Sequence, residues 1–86
     1  MNSRPEFEVV AIGKRDFVIY KLRPLIYEAT GGVVEPLSYV WSDDGAYEYV
    51  ELNVRGLDRP VRVNVHMDSK WAIVKDVLRA VGEYYD

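Results

Sequence analysis

A two-residue turn signal, Asp44-Gly45, separates two stretches in which apolar and polar residues alternate. Asp-Gly between alternating segments favours a type I′ hairpin, because glycine accepts a positive φ and the twist of this turn suits the flanking strands. A hairpin of this kind fixes the strand register, so it predicts that Trp41 lies opposite Glu48. The pairing and the face of every other residue in the predicted sheet follow from this register.

A second turn signal, at residues 56–60, precedes a further alternating stretch. Glycine and aspartate tolerate turn dihedral angles, and proline lacks the N–H that a strand ladder requires. Residues 37–66 therefore form a predicted three-stranded antiparallel meander, with Leu37 opposite Leu52. A side-chain period of two gives the meander an apolar face with these members: Leu37, Tyr39, Trp41, Val50, Leu52, Val54, Val61, Val63 and Val65. Glu48 also falls on this face, and we expect it at the hairpin tip, where water reaches it.

The opposite face of the meander is polar, with Ser38, Val40 and Ser42 beside the later strands. Tyr47 and Tyr49 lie next to each other there among arginines, a combination that is enriched at protein interfaces and that can also stack nucleic-acid bases. The candidate binding residues are Tyr47, Tyr49, Glu51, Asn53, Arg55, Arg62, Asn64 and His66. Cross-strand pairing that stabilises the sheet is the alternative explanation for them.

Residues 69–85 carry the clearest helical pattern in the chain. Their apolar residues recur at helical spacing: Trp71, Val74, Val77, Leu78 and Val81. Asp68 or Ser69 is expected to cap the first turn. We predict that this C-terminal helix packs its apolar stripe on the apolar face of the sheet.

The segment before the meander allows two interpretations. In the first, residues 7–12 form a strand, residues 17–22 pair with it as a hairpin, and a shorter helix near residues 24–30 ends at a glycine pair. In the second, residues 17–29 form one amphipathic helix, in which Pro24 would remove a hydrogen bond at a cost of about 3 kcal/mol. Because of that cost, we favour the hairpin.

Together these elements predict a single α+β domain over residues 1–86. It has a small antiparallel sheet, made of an N-terminal strand or hairpin plus the meander, with the C-terminal helix on one face. The order of a helix, three strands and a helix resembles that of double-stranded-RNA-binding domains. Those domains carry a lysine cluster at the start of the last helix, where Ser69-Lys70-Trp71-Ala72 supplies one lysine, so the resemblance is one of topology.

Composition narrows the classes of function. The net charge of −3 argues against a protein that binds by neutralising phosphates, so nucleic acid is a disfavoured partner. The chain has no cysteine, which excludes disulfides and thiolate chemistry. We see neither a signal peptide nor an apolar run long enough to span a membrane, and we expect a cytoplasmic protein without membrane contact.

Residues that could support catalysis are few. The sole histidine, His66, is predicted to face Glu51 or Tyr49 across the strands, either as a carboxylate-oriented base or as a half-exposed strand-end residue. Asp43-Asp44 precedes a glycine and is typical of a turn, without the spaced oxygen ligands of a calcium site. We therefore expect no catalytic or metal-binding residues, no cofactor and no small-molecule substrate.

Two functional hypotheses remain. The first is a small non-enzymatic domain that acts by contacting another protein or a second copy of itself as a homodimer. The second is a weak single-stranded nucleic-acid-binding module that uses the face around Tyr47 and Tyr49. An enzyme built on His66 and Glu51 is the least favoured hypothesis.

Overall fold

The computed structural model of the chain describes residues 6–86, and it has the α+β architecture that the sequence predicts. In chain order, a helical segment precedes the three-stranded antiparallel sheet and another helix follows it, so the predicted order of a helix, three strands and a helix is confirmed. The elements are α1 Glu6–Phe17, a π-helical turn Val18–Leu22, α2 Arg23–Ala29, β1 Val34–Trp41, β2 Glu48–Val54, β3 Val61–Asn64 and α3 Lys70–Gly82.

The predicted N-terminal strand or hairpin is wrong, because residues 7–12 and 17–22 lie in one long helical segment that continues into α2. Its buried side follows helical spacing through Ala11, Lys14, Val18, Leu22 and Ile26. Burial of this stripe against the sheet overrides the β-propensity of the valines and isoleucines, since propensity is a weak preference that tertiary packing outweighs.

The helical alternative survives Pro24 because the helix widens just before it. The Arg23 N–H donates to the Val18 carbonyl, five residues back, instead of the carbonyl four residues back. Proline clashes with a regular helical turn, and the wider π turn accommodates its ring. Pro24 then lies at the first positions of α2, where a helix needs no N–H from it.

The glycine pair ends the helix as predicted. Gly31 and Gly32 have φ values of 60° and 82°, and the Gly32 N–H donates to the Tyr27 carbonyl at 2.8 Å. A side chain at Gly32 would also press on the Tyr27 ring, because a Cβ there would lie 3.2 Å from it. The left-handed backbone of this pair turns the chain into β1.

The hairpin register is confirmed at its turn and corrected further along. Trp41 pairs with Glu48 as predicted, although the turn is wider than a two-residue type I′ loop, since Gly45 donates its N–H to the Ser42 carbonyl. A β-bulge at Leu37 then shifts the register, so Leu52 pairs with Pro36 and not with Leu37. One extra residue in a strand has this effect.

The core lies on one side of the sheet, where α1, α2 and α3 all pack. Its buried apolar members are Ala11, Val18, Leu22, Ile26, Val34, Tyr39, Val50, Leu52, Val54, Val63, Val65, Ile73, Val77, Ala80 and Val81. Most of the predicted apolar sheet face is therefore buried, with Trp41 and Val61 partly buried at its margins.

The C-terminal helix packs on the predicted face of the sheet but is rotated about its axis. Ser69 caps it, because its side chain accepts from the Ala72 N–H at 3.1 Å. The core contacts come from Ile73 and the buried residues that follow it, whereas Trp71 is 67 % exposed and Leu78 is 50 % exposed. The predicted stripe was therefore wrong at these two positions.

Candidate functional site

One face of the sheet remains open, and it carries most of the predicted binding residues. No helix of residues 6–86 packs on it, because α1, α2 and α3 all contribute to the core on the opposite side. Pairing across β2 and β3 joins Tyr49 to Asn64 and Glu51 to Arg62. We call this surface, formed by Tyr47, Tyr49, Glu51, Asn53, Arg62 and Asn64, the open sheet face.

Two tyrosines and an arginine form the centre of the open sheet face. The rings of Tyr47 and Tyr49 stack with centroids 5.8 Å apart and planes inclined by 25°. The Arg62 guanidinium lies over the Tyr49 ring, 4.7 Å from its centroid, in a cation–π contact. The outer ring, Tyr47, is 49 % exposed, so an incoming aromatic or apolar group has a flat surface on which to pack.

Glu51 contacts the arginine at this centre. Its carboxylate lies 3.6 Å from Arg62 Nε and accepts a hydrogen bond from the Ser38 hydroxyl at 3.1 Å. The pair of Arg62 and Glu51 holds the guanidinium near Tyr49 while leaving it 66 % exposed. Ser38 is a contributor that the binding-residue prediction did not include.

His66 does not lie where the sequence predicted. It follows the end of β3, and its Nδ1 lies 3.7 Å from Glu48 Oε2 instead of beside Glu51 or Tyr49. The cause is the strand register, which places Arg62 opposite Glu51 and Asn64 opposite Tyr49. The predicted pairing of His66 with Glu51 is therefore wrong.

A concavity of about 410 Å³ unites part of the predicted set at the hairpin end of the open sheet face. Its walls are Ala46, Tyr47, Glu48, Tyr49, Arg62, Asn64 and His66. The Arg55 side chain turns away instead, toward the Gly31 carbonyl at 3.3 Å. Asn53 lies further along β2, opposite Glu35 of β1, and is also outside the concavity.

A buried ionic cluster behind the sheet was missed by the sequence analysis. Glu48 is only 1 % exposed, so the expectation that water reaches it is wrong. Its carboxylate accepts hydrogen bonds from Lys14 Nζ at 2.9 Å, from the Met67 N–H at 2.8 Å and from the Tyr39 hydroxyl. The helix α1 covers the hairpin tip and thereby removes Glu48 from solvent. We call Lys14, Tyr39 and Glu48 the ionic cluster.

The pKa values in this cluster follow from burial and hydrogen bonding. Burial acts to raise the pKa of Glu48, but the hydrogen bonds from Tyr39, the Met67 N–H and Lys14 outweigh it, so the pKa lies below its usual value. Burial and the neighbouring Glu48 carboxylate raise the pKa of the Tyr39 hydroxyl. The cluster thus holds an ionised carboxylate whose bonding capacity is occupied by protein donors, which indicates a structural role.

A pair of aspartates lies beside the ionic cluster. Burial and the nearby Asp76 carboxyl raise the pKa of Asp68 to about 6. One Asp68 oxygen, Oδ2, is buried and has no hydrogen-bond partner within residues 6–86. Met67, next to it, has a φ of 61°, an uncommon conformation for a residue with a side chain. This turn therefore carries a local electrostatic and conformational cost.

Comparison of the chain with family models, curated proteins and solved structures finds no match. The residues alone must therefore support any functional assignment. Within residues 6–86, no three His, Asp or Glu side chains are grouped in a way that would hold a metal ion. In that same part of the chain, no helix is both long and apolar enough to cross a membrane.

A sequence signal for the ionic cluster does exist. Lys14 falls within the helical stripe that also contains Ala11 and Val18, and Glu48 falls on the apolar face of the sheet. A lysine and a glutamate at two otherwise apolar positions indicate a buried pair, since such charges are rarely buried without a partner. Recognising it requires knowledge that residues 6–17 are helical, and their β-branched composition concealed this.

Proposed function

We propose that this chain is a small non-enzymatic domain that acts by protein contact, with a second copy of itself docked on the open sheet face. The observation that carries the proposal is the uncovered sheet, with the stacked pair Tyr47 and Tyr49 beside Arg62 at its centre. Tyrosine and arginine are the residue types that contribute most binding energy at protein interfaces. The rings are already ordered by their mutual contact, which reduces the entropy lost on binding.

A second copy fits the charges of this face. Arg62 and Glu51 lie side by side on it, so a twofold axis near them lets each arginine meet the glutamate of the other chain. Such an exchange of arginine–glutamate pairs between the two chains does not require a net charge on the surface. It also uses side chains that are only partly shielded now, since Arg62 is 66 % exposed.

Size-exclusion chromatography with light scattering over a range of protein concentrations tests this proposal. We expect a mass that rises from monomer toward dimer, and the double variant Tyr47→Ala/Tyr49→Ala should remain monomeric. The control is Tyr84→Ala/Tyr85→Ala, which removes two equally large exposed rings outside the open sheet face. A strictly monomeric wild-type protein at high concentration contradicts self-association.

Single-stranded nucleic acid is the second candidate, because Tyr47, Tyr49 and Arg62 combine stacking surfaces with a cation. Arg55 is less available, since its guanidinium donates to the Gly31 carbonyl. A fluorescence titration with mixed oligonucleotides at low salt tests this candidate. Absence of binding, or binding that the Tyr47→Ala/Tyr49→Ala variant retains, rejects it.

We also propose a cytoplasmic location, and both this location and the absence of catalysis are argued from residue chemistry. The acidic neighbour of His66 is the buried Glu48, whose carboxylate already accepts three protein hydrogen bonds. Such a carboxylate has little capacity left to orient a catalytic base. A chain without cysteine suits a reducing compartment, which supports the cytoplasm.

A further inference from the structure

A second concavity lies at the outer edge of the sheet, away from the stacked tyrosines. It has a volume of about 790 Å³, which is within the range of ligand sites. The π turn and α2 form one wall, and Glu35 of β1 forms the other. Neither the proposed dimer nor the core uses this concavity.

The π turn leaves a hydrogen-bond acceptor at this concavity. The Arg23 N–H donates to the Val18 carbonyl, so the next bond in the same register would run from Pro24 to Ile19. Proline has no N–H, and the Ile19 carbonyl therefore lacks this helical donor. Ile19 and Pro24 both line the concavity. A ligand that carries N–H groups can satisfy the freed carbonyl.

The side chains of the concavity are aromatic and acidic. Tyr20 and Tyr27 are 70 % and 50 % exposed and stand one heptad apart on its helical wall. Glu28 directly follows Tyr27 in the chain and makes no ion pair within residues 6–86. Arg23 Nε donates to Glu35 Oε2 and Nη2 lies 2.8 Å from the same oxygen, so these two charges neutralise each other. One uncompensated carboxylate remains beside two electron-rich rings.

We propose that this concavity binds a lysine or arginine side chain of a basic partner protein. The aliphatic stem packs on the apolar wall and the charged head meets the tyrosine rings and Glu28, while its N–H groups reach the Ile19 carbonyl. A cation over an aromatic ring and beside a carboxylate is a stable arrangement for either residue. The chain has a net charge of −3, which favours the approach of a basic protein.

Nuclear magnetic resonance titration of the full chain with capped peptides tests this site. The probes are a pentapeptide with two lysines among alanines, the matched peptide with glutamates, and butylammonium chloride. We expect the lysine peptide to produce saturable shifts at residues 19–35 that weaken with salt. The glutamate peptide should produce none. Butylammonium, which reproduces the stem and head group of lysine, should shift the same residues more weakly than the peptide. Shifts elsewhere, or none at millimolar peptide, would each overturn the proposal.

Two variants should move the affinity in opposite directions. Glu28→Gln removes the uncompensated carboxylate and should weaken lysine-peptide binding about two- to fivefold, as expected for an exposed ion pair. Arg23→Gln frees Glu35 and should strengthen binding by about the same factor. Both residues are on the surface, and a circular dichroism melt confirms that each variant is folded. Equal affinity in both variants overturns the assignment, whatever the oligomeric state of the open sheet face.

Discussion

Glu48 and Glu51 lie three residues apart on the same strand, each beside a cation, yet their surroundings are opposite. Glu48 points into the core, where its side chain is 1 % exposed and Lys14 lies 2.9 Å away. Glu51 is on the open sheet face, where its side chain is 25 % exposed and Arg62 lies 3.6 Å away. The period of two along a strand is enough to separate a buried ion pair from a solvated one.

The difference shows how a carboxylate is stabilised on each face of the sheet. A buried carboxylate loses its hydration and must recover it from protein donors, and Glu48 has three such donors. A solvated carboxylate keeps its water, and its pair contributes little to stability. The charged residues on the covered side therefore stabilise the fold. Those on the open sheet face can replace their contacts with water by contacts with a partner.

Removing the buried carboxylate should have the largest effect. Glu48→Ala leaves Lys14 charged and buried without its partner, so we expect a loss of about 3–5 kcal/mol in the free energy of unfolding. Urea denaturation followed by circular dichroism measures it. Glu51→Ala is the matched control on the other face, and its expected loss is about 1 kcal/mol or less.

The double variant Lys14→Met/Glu48→Leu separates the value of the pair from the cost of breaking it. Replacing a buried ion pair with apolar side chains of similar size is often neutral or stabilising. We therefore expect the double variant to be much more stable than Glu48→Ala. Equal losses in Glu48→Ala and Glu51→Ala would show that the two faces do not differ as proposed.

The rotation of α3 gives the second prediction. Ile73 is fully buried, so Ile73→Ala should lower the free energy of unfolding by about 2–5 kcal/mol. Trp71, two residues earlier, is 67 % exposed, and Trp71→Ala should cost about 0.5 kcal/mol or less. The same denaturation experiment compares them. A larger loss for Trp71→Ala would restore the stripe that the sequence predicted.

The existence of α3 could be predicted from the sequence, whereas its rotation could not. Apolar residues occupy positions 71–74, 77, 78, 80 and 81, which surround most of the helix. Several stripes are therefore compatible with the pattern, and only packing in the shared core selects the one through Ile73. The meander was better determined, because two independent turns agreed on its faces.

The long N-terminal helix was difficult to predict because its residue types favour other structures. Its β-branched residues favour strands, and Pro24 normally ends a helix. The spacing of Val18, Leu22 and Ile26 did indicate a helix over residues 17–29, but nothing in it indicated that the helix continues back to residue 6 or contains a π turn. The open sheet face was predicted largely correctly, since Tyr49, Glu51 and Arg62 follow directly from alternation.

The aspartate pair gives a smaller, pH-dependent effect on the covered side. The pKa of Asp68 is raised to about 6, above its unfolded value, so its contribution to stability is present at low pH and is lost as pH rises through about 6. Glu48 acts in the opposite direction, because its lowered pKa makes stability fall only when the pH drops further. Of the other charged neighbours, Lys14 acts to lower the pKa of Asp68 and Glu48 acts to raise it.

We therefore expect the free energy of unfolding to decrease by about 1 kcal/mol or less between about pH 5 and about pH 7.5, since partial exposure of Asp68 screens its charge. Denaturation at both pH values measures the difference. In Asp68→Asn the difference should shrink, whereas in Asp58→Asn, on the exposed second turn, it should persist. An unchanged difference in Asp68→Asn would assign the pH dependence to another group.

The smallest effect on stability is expected at the centre of the open sheet face. Arg62→Ala removes the cation–π contact with Tyr49 and the pair with Glu51, at a cost of about 0.5–1 kcal/mol in unfolding, because the guanidinium is largely hydrated. Its effect on dimerisation should be larger than that, since in the proposed dimer the same guanidinium is removed from water at two equivalent places. Light scattering and denaturation of one preparation therefore separate the two faces: Glu48→Ala should lose stability, and Arg62→Ala should lose association while remaining folded. If Arg62→Ala dimerises like the wild type, the arginine–glutamate exchange is absent and a dimer must use another surface.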